Sequence, residues 1–315
     1  MQLTTKLCAD RSLLTDIQYE LVTSRDLDEA LWINEYVHTC YRPPNLPSLA
    51  YIRSLFQLNN ETINIWSHLL GFLYFSWCQY EVNVLWLPYI EASQVDHFVM
   101  TLSILGAQIC MFFSACYHTF GCASVIHRQR WLKLDIFGIT AGLIAMYLIG
   151  IYTAFYCFEQ LLNSYLSLLM ALFVITAYIP SREEFLKSRV LGSRIGYLHL
   201  IYILVVLFGL CPTLHWISVH GGLSNEHVMD WLPSIGVLYL ISAFAFLFYA
   251  TLVPERFSPG TFDVIGCSHQ WWHLLILFAM IYWNRSGLQL LTVLRTSPNF
   301  CQFTKVRLSR FNETM

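Results

Sequence analysis

Charge is what this chain has least of. Only 12% of its 315 residues are Asp, Glu, Lys or Arg, where a soluble domain carries about 25%. With 56% hydrophobic residues beside it, that scarcity excludes an ordinary soluble globular protein. The net charge is −2, so no cationic surplus points to nucleic acid as a partner. The first sixty residues are too polar to contain the apolar stretch of a cleavable signal. The ten cysteines form no CxxC pair, which removes a zinc-ribbon reading. Most fall in apolar runs and read as small packing residues. Cys157 and Cys301 could meet as a disulfide on the lumenal side.

What the sequence does contain is long apolar runs. Seven can be placed, near 62–85, 97–120, 132–155, 161–179, 197–217, 231–253 and 264–284. Each is roughly long enough for a hydrocarbon core of about 30 Å. Runs of about twenty apolar residues exclude barrel strands, and in lipid only helices or closed barrels satisfy the backbone. The expected fold class is an all-α membrane protein, a seven-transmembrane helix bundle. Its divisions are a segment over 1–60, the membrane domain over 61–285 and a tail over 286–315. Gly138-x-x-x-Gly142 is either a close helix contact or a chance pair.

Lys and Arg set the orientation. The N-terminal segment carries Lys6, Arg11, Arg25, Arg42 and Arg53. The second loop and its edge carry Arg128, Arg130 and Lys133, the fourth loop Arg182, Lys187, Arg189 and Arg194, and the sixth Arg256. The first, third and fifth loops carry none. The N-terminus is therefore expected in the cytosol and the C-terminus in the lumen or outside. The tail opposes this with Arg285, Arg295, Lys305, Arg307 and Arg310, but later charges weigh less than early ones.

That orientation brings four ionisable residues to one depth, although the charge rule made no use of them. His118 closes the second span in Ser114-x-x-x-His118, Asp135 opens the third, and His269-x-x-x-His273 lies at the start of the seventh. Ionisable residues in spans are costly and mark functional sites by default. Residues four apart share a helical face, so His269 and His273 can bite one ion. Neutral imidazoles suit zinc, and three protein ligands leave a fourth position for water. His118 is the third ligand in this reading. Asp135 would bond that water or take its proton, and Ser114 would position it. The bland reading stays beside it: Asp135 pairs with Arg130 or Lys133, Ser114 bonds back to its own helix, and His-x-x-x-His is coincidence. His68, in Asn60-Glu61-Thr62-Ile63-Asn64-Ile65-Trp66-Ser67-His68, reads as polar glue between helices. His97, His215, His220 and His227 fall toward the lumen.

These motifs together resemble the progestin and adipoQ receptor family. The carrying segments are Asn60-Glu61-Thr62-x-Asn64-Ile65-Trp66-Ser67-His68, Ser114-x-x-x-His118, Asp135-x-x-Gly138, Pro254-Glu255-Arg256 and Ser268-His269-x-x-x-His273. The resemblance implies seven helices, a cytosolic N-terminus and an intramembrane zinc on His118, His269 and His273, with Asp135 on its water and Ser114 beside it. Ser54-Leu55-Phe56, Ala154-Phe155-Tyr156-Cys157, Pro212-Thr213-Leu214-His215-Trp216, Ala245-Phe246-Leu247-Phe248-Tyr249 and Gly266-Cys267-Ser268-His269-Gln270 are most similar to a Golgi branch of that family. In that branch the cytosolic N-terminal segment is implicated in holding Raf kinase and damping mitogen-activated kinase signalling. The expected role is thus a Golgi tether for Raf kinase. Two alternatives stand beside it: a zinc-dependent lipid-amide (ceramide) hydrolase with lipid in the bundle cavity, and a hormone receptor of adiponectin or progestin type at the plasma membrane.

In the N-terminal segment, residues 26–37 read as a short helix with Leu27, Leu31, Trp32 and Ile33 on its apolar side. Pro43, Pro44 and Pro47 then break the chain into an extended linker. Leu49 to Leu58 reads as an amphipathic helix lying along the cytosolic interface, with Arg53 exposed. Residues 1–42 are left as the partner surface, and residues 1–25 are expected to be disordered. Asn312-Glu313-Thr314 is a glycosylation sequon in the expected lumenal tail.

Overall fold

A computed structural model describes residues 19–179, 182, 195–297 and 300–301. The sequon and most of residues 1–25 lie outside that set. Among the described residues the chain is helical, with one isolated antiparallel bridge between Val22 and Tyr41. The helices are α1 (Ser48–Arg53), α2 (Thr62–Tyr80), α3 (Gln94–Phe120), α4 (Val125–Ala154), α5 (Glu159–Tyr178), α6 (Tyr197–Phe208), α7 (Leu210–Val219), α8 (Glu226–Thr251) and α9 (Ser268–Thr296). Among the described residues, six stretches are long and apolar enough to cross a membrane: α3, α4, α5, the α6–α7 pair, α8 and α9. The first expected span is also a helix, α2, continued by a π turn over Glu81–Trp86. Asn64, Ser67, His68 and Gln79 make it more polar than the others. The last helix runs past its expected end near 284, to Thr296.

The chain divides into two compact units. The first comprises residues 1–74, 108–139 and 241–278. Its organising feature is the N-terminal segment, which is folded down onto its neighbours. Val37, Tyr41 and Cys267 form a buried cluster, with Val22, Leu27, Ile33 and Phe262 packed against it. Arg42 is almost wholly buried, and its guanidinium donates to the Ser54 hydroxyl at 2.9 Å and to the carbonyls of Thr119 at 3.0 Å and His118. Those carbonyls belong to the last turn of α3, where an α-helix leaves its carbonyls without their own partners, so Arg42 caps the helix, with Cys122 Sγ also reaching Thr119 O at 3.6 Å. Burial pushes the Tyr51 phenol up to about 12. It therefore stays neutral, donating to Pro43 O at 3.0 Å and accepting from Leu46 N at 3.1 Å.

The helix expected over 26–37 does not form. Single 3-10 turns cover Ser24–Asp26 and Glu29–Leu31 instead. The competing bonds are visible. Asp28 accepts from Ala30 N at 2.8 Å, Asn34 Oδ1 accepts from Tyr36 N at 2.9 Å, and Arg128 takes the carbonyls of Leu31 and Trp32. Short Asx side chains offer the backbone these alternatives to a helical ladder. The amphipathic stretch after the prolines is helical through α1 and a 3-10 turn over Ser54–Phe56, with Leu49, Ile52 and Phe56 exposed and Ala50 and Tyr51 buried. At Gly138 an added Cβ would sit 3.1 Å from Cys110 Cα, so α3 and α4 approach closely there.

The second unit comprises residues 75–107, 140–240 and 279–315. Asp96 is fully buried, accepts from Ser93 N at 2.7 Å and from the Tyr152 hydroxyl at 2.7 Å, and pairs with Arg295. Ile151, Phe155, Leu169, Trp216 and Val228 make its apolar cluster. Cys157 and Cys301 are joined as a disulfide, with their Cα atoms 5.1 Å apart. Gly106 lies against α4 so tightly that a Cβ would fall 2.4 Å from Ala145 Cβ.

Candidate metal centre

Two helix ends in the first unit build the site. The last turns of α3 carry Ser114 and His118, both buried. The first turns of α9 carry His269 and His273, four residues apart and on one face. The start of α9 is held from several sides. Gly266 takes φ +93°, a conformation costly for any residue with a Cβ, and its N–H donates to Gln270 Oε1 at 2.6 Å. Glu255 accepts from Ser268 N at 2.7 Å and from the Ser268 hydroxyl, placing a carboxylate at the positive end of α9. Gln270 Nε2 donates to Val264 O at 2.8 Å and to Asn60 O at 3.4 Å.

The three imidazoles converge. His269 Nε2 lies 3.4 Å from His118 Nε2 and 3.2 Å from His273 Nε2. The three candidate ligand atoms lie within 4.8 Å of one another and could hold a metal ion. The donor set fits zinc. At Zn–N distances of 2.0–2.1 Å, tetrahedral ligands stand about 3.3–3.4 Å apart, close to the two spacings seen. A single proton can bridge one pair of ring nitrogens, but not three nitrogens facing a common point. His118 turns its other nitrogen, Nδ1, to Glu61 Oε2 at 2.8 Å.

Asp135 joins this group through Ser114, whose hydroxyl hydrogen-bonds the carboxylate, and lies within electrostatic reach of His118. All five residues singled out from the sequence therefore gather in one unit. His68 is buried and its ring lies tilted against that of His273, centroids 4.0 Å apart, so it forms a wall of the site. Three contributors carried no assigned role in the sequence reading: Glu61 on His118, Arg42 on the end of α3, and Glu255 on the start of α9. Glu61 and Glu255 both sit in motifs quoted above, which was the available signal. Arg42 had only its charge and the weaker likeness of Tyr41-Arg42 to the Golgi branch of the family. His97, His215 and His220 belong to the second unit and have partners of their own in Asn83, Tyr165 and the Trp216 carbonyl.

The haemolysin-III-related family model matches residues 56–284, which include the three histidines, Ser114, Asp135, Glu61 and Glu255 but not Arg42. Mouse progestin and adipoQ receptor family member 3 is 36% identical over 284 residues, covering 88% of each chain. The human protein of that name is 35% identical over the same length. The Drosophila adiponectin receptor protein is 32% identical over 258 residues, covering 81% of this chain and 56% of its own. With these matches spanning the helices and the converging histidines, the chain belongs to the haemolysin-III-related, progestin and adipoQ receptor family of membrane proteins.

Proposed function

We propose that this is a Golgi seven-transmembrane protein, N-terminus in the cytosol, that holds zinc on His118, His269 and His273 and tethers Raf kinase through its cytosolic face. The observation that carries the zinc is the meeting of three imidazole Nε2 atoms from α3 and α9. The orientation is supported by the clustering of Lys and Arg in alternate loops. The Raf and Golgi elements rest on the likeness to the Golgi branch of the family. Metal analysis of purified protein, wild type beside a His118/His269/His273 triple-alanine variant, tests the zinc. Stoichiometric zinc lost in the variant supports it, and none in the wild type overturns it. Raf that stays diffuse when the protein is abundant overturns the tether.

The contact of Asp135 with Ser114 beside His118 favours a second reading, zinc-dependent hydrolysis of a lipid amide such as ceramide. Zinc would polarise the carbonyl and lower the pKa of a water to about 7. Asp135 would accept that water's proton and deliver it to the leaving amine. Ser114 holds the Asp135 carboxylate in place by its hydroxyl. The histidines from α3 and α9 hold the two helix ends together. Ceramide turnover by wild type that is lost in Asp135→Asn supports this reading, and zinc-loaded protein without turnover removes it.

A further inference from the structure

Glu61 is a buried carboxylate, 8% exposed, in the residue before α2. Its backbone N–H donates to Asn59 Oδ1 at 2.9 Å, which fixes the turn. Its Oε2 meets Asn64 Nδ2 at 2.6 Å and His118 Nδ1 at 2.8 Å. Across the fold, this carboxylate thus meets the ring of His118, 57 residues along the chain.

The chemistry of that contact decides the tautomer. An ionised carboxylate only accepts hydrogen bonds. Asn64 approaches the same oxygen with its amide nitrogen, so it too is a donor. His118 Nδ1 must therefore carry the proton, which leaves the lone pair on Nε2, the atom facing His269 Nε2. A ring nitrogen can ligate a metal only through such a lone pair. At the other end of the residue, Arg42 holds the His118 carbonyl, so both backbone and ring are fixed.

Resting on the zinc reading above, we propose that Glu61 is the positioning residue of the centre. It holds the Nδ1 proton of His118, fixes Nε2 as the ligand atom and orients the ring, and Asn64 holds Glu61 in turn. Carboxylates behind metal-bound histidines raise ligand basicity and set ring orientation, and losing one costs on the order of 10–100-fold in metal affinity.

The test uses full-length protein in detergent. Zinc affinity is measured by competition with a chromophoric chelator, the ligand field by cobalt(II) absorption, and fold by thermal unfolding of the metal-free form. Glu61→Leu is expected to weaken zinc binding on the order of 10–100-fold and to shift the cobalt bands. Glu61→Gln keeps an uncharged acceptor and is expected to fall between it and wild type. Wild type that holds zinc while both variants hold it as tightly, with unchanged cobalt bands, overturns the proposal. So does weaker binding matched by lower metal-free stability with unchanged bands, because Glu61 is then only structural. If Glu61→Leu does not fold, Glu61→Gln decides by the same criteria. Wild type that holds no metal is a different failure, since it removes the zinc reading itself.

Discussion

The side-chain amide of Asn34 donates to Glu255 Oε1 at 3.0 Å, across 221 residues of sequence. Glu255 also receives Ser268, the first residue of the helix that carries His269 and His273. The N-terminal segment therefore reaches the histidine pair in two steps, and it reaches the third histidine in one, through Arg42. A second latch runs from Thr39, whose N–H and hydroxyl both donate to Asp263 Oδ2, at 2.8 and 2.6 Å.

Glu255→Ala strips an acceptor from Asn34 and from both donors of Ser268. A buried polar group left without its partner costs about 1–3 kcal/mol. The variant should unfold at lower temperature in detergent than Asn34→Ala, which removes one of these bonds. Differential scanning fluorimetry of the pair checks the order.

Arg42→Met keeps the length of the side chain and removes its donors. The carbonyls of His118 and Thr119 and the Ser54 hydroxyl lose a partner, at about 1–3 kcal/mol for each group left unsatisfied. Lower thermal stability is expected together with weaker zinc binding, read by melting and chelator competition. A variant that melts like wild type would show that the cap on α3 is dispensable.

Removing metal should lower the melting temperature, because a ligand bound to the folded state alone adds stability, about 2.7 kcal/mol at a hundredfold excess over its dissociation constant. A strong chelator should shift wild type and leave His269→Ala unmoved. Equal shifts in both would place the metal elsewhere.

Gly106→Val should be poorly tolerated, since even the first carbon of its side chain falls 2.4 Å from Ala145 Cβ. Overpacking of this kind costs about 1–3 kcal/mol. Gly236, where an added Cβ meets nothing within 4 Å, is the matching control, and Gly236→Val should express and melt closer to wild type.

Cys157→Ser should reduce, without abolishing, the mobility difference between reduced and non-reduced protein on a denaturing gel, because Cys40 is disulfide-bonded as well. Cys301→Ser should do the same, and the double variant should add nothing further. Single variants that both migrate like wild type, reduced and non-reduced, would mean that the Cys157–Cys301 bridge does not form.

The apolar runs foretold where helices would lie because lipid leaves the backbone little choice. The three histidines were legible for a similar reason: an ionisable group in an apolar run stands out, and spacing of four fixes a shared face. The short helix over 26–37 failed because the pattern of Leu27, Leu31, Trp32 and Ile33 was read without the partners of Asp28, Asn34 and the Leu31 carbonyl. Those partners include Arg128, far along the chain, and no local pattern encodes it. Arg42 was unreadable on the same ground. In sequence it is one more positive charge for the orientation rule, and only folding gives it two carbonyls to cap. Glu61 stood in full view inside a motif, but its partner His118 lies on another helix.

The latched N-terminal segment bears on how a docking site could be mapped. Progressive truncation would not strip away contact residues alone. Once it passes Asn34 it frees Glu255 at the head of α9, and once it passes Arg42 it uncaps α3, so a truncated chain that no longer recruits a partner has also lost the supports of its histidines. Arg25, Glu29 and Glu35 are exposed. Point changes there would alter the outward face of the segment and leave both latches closed.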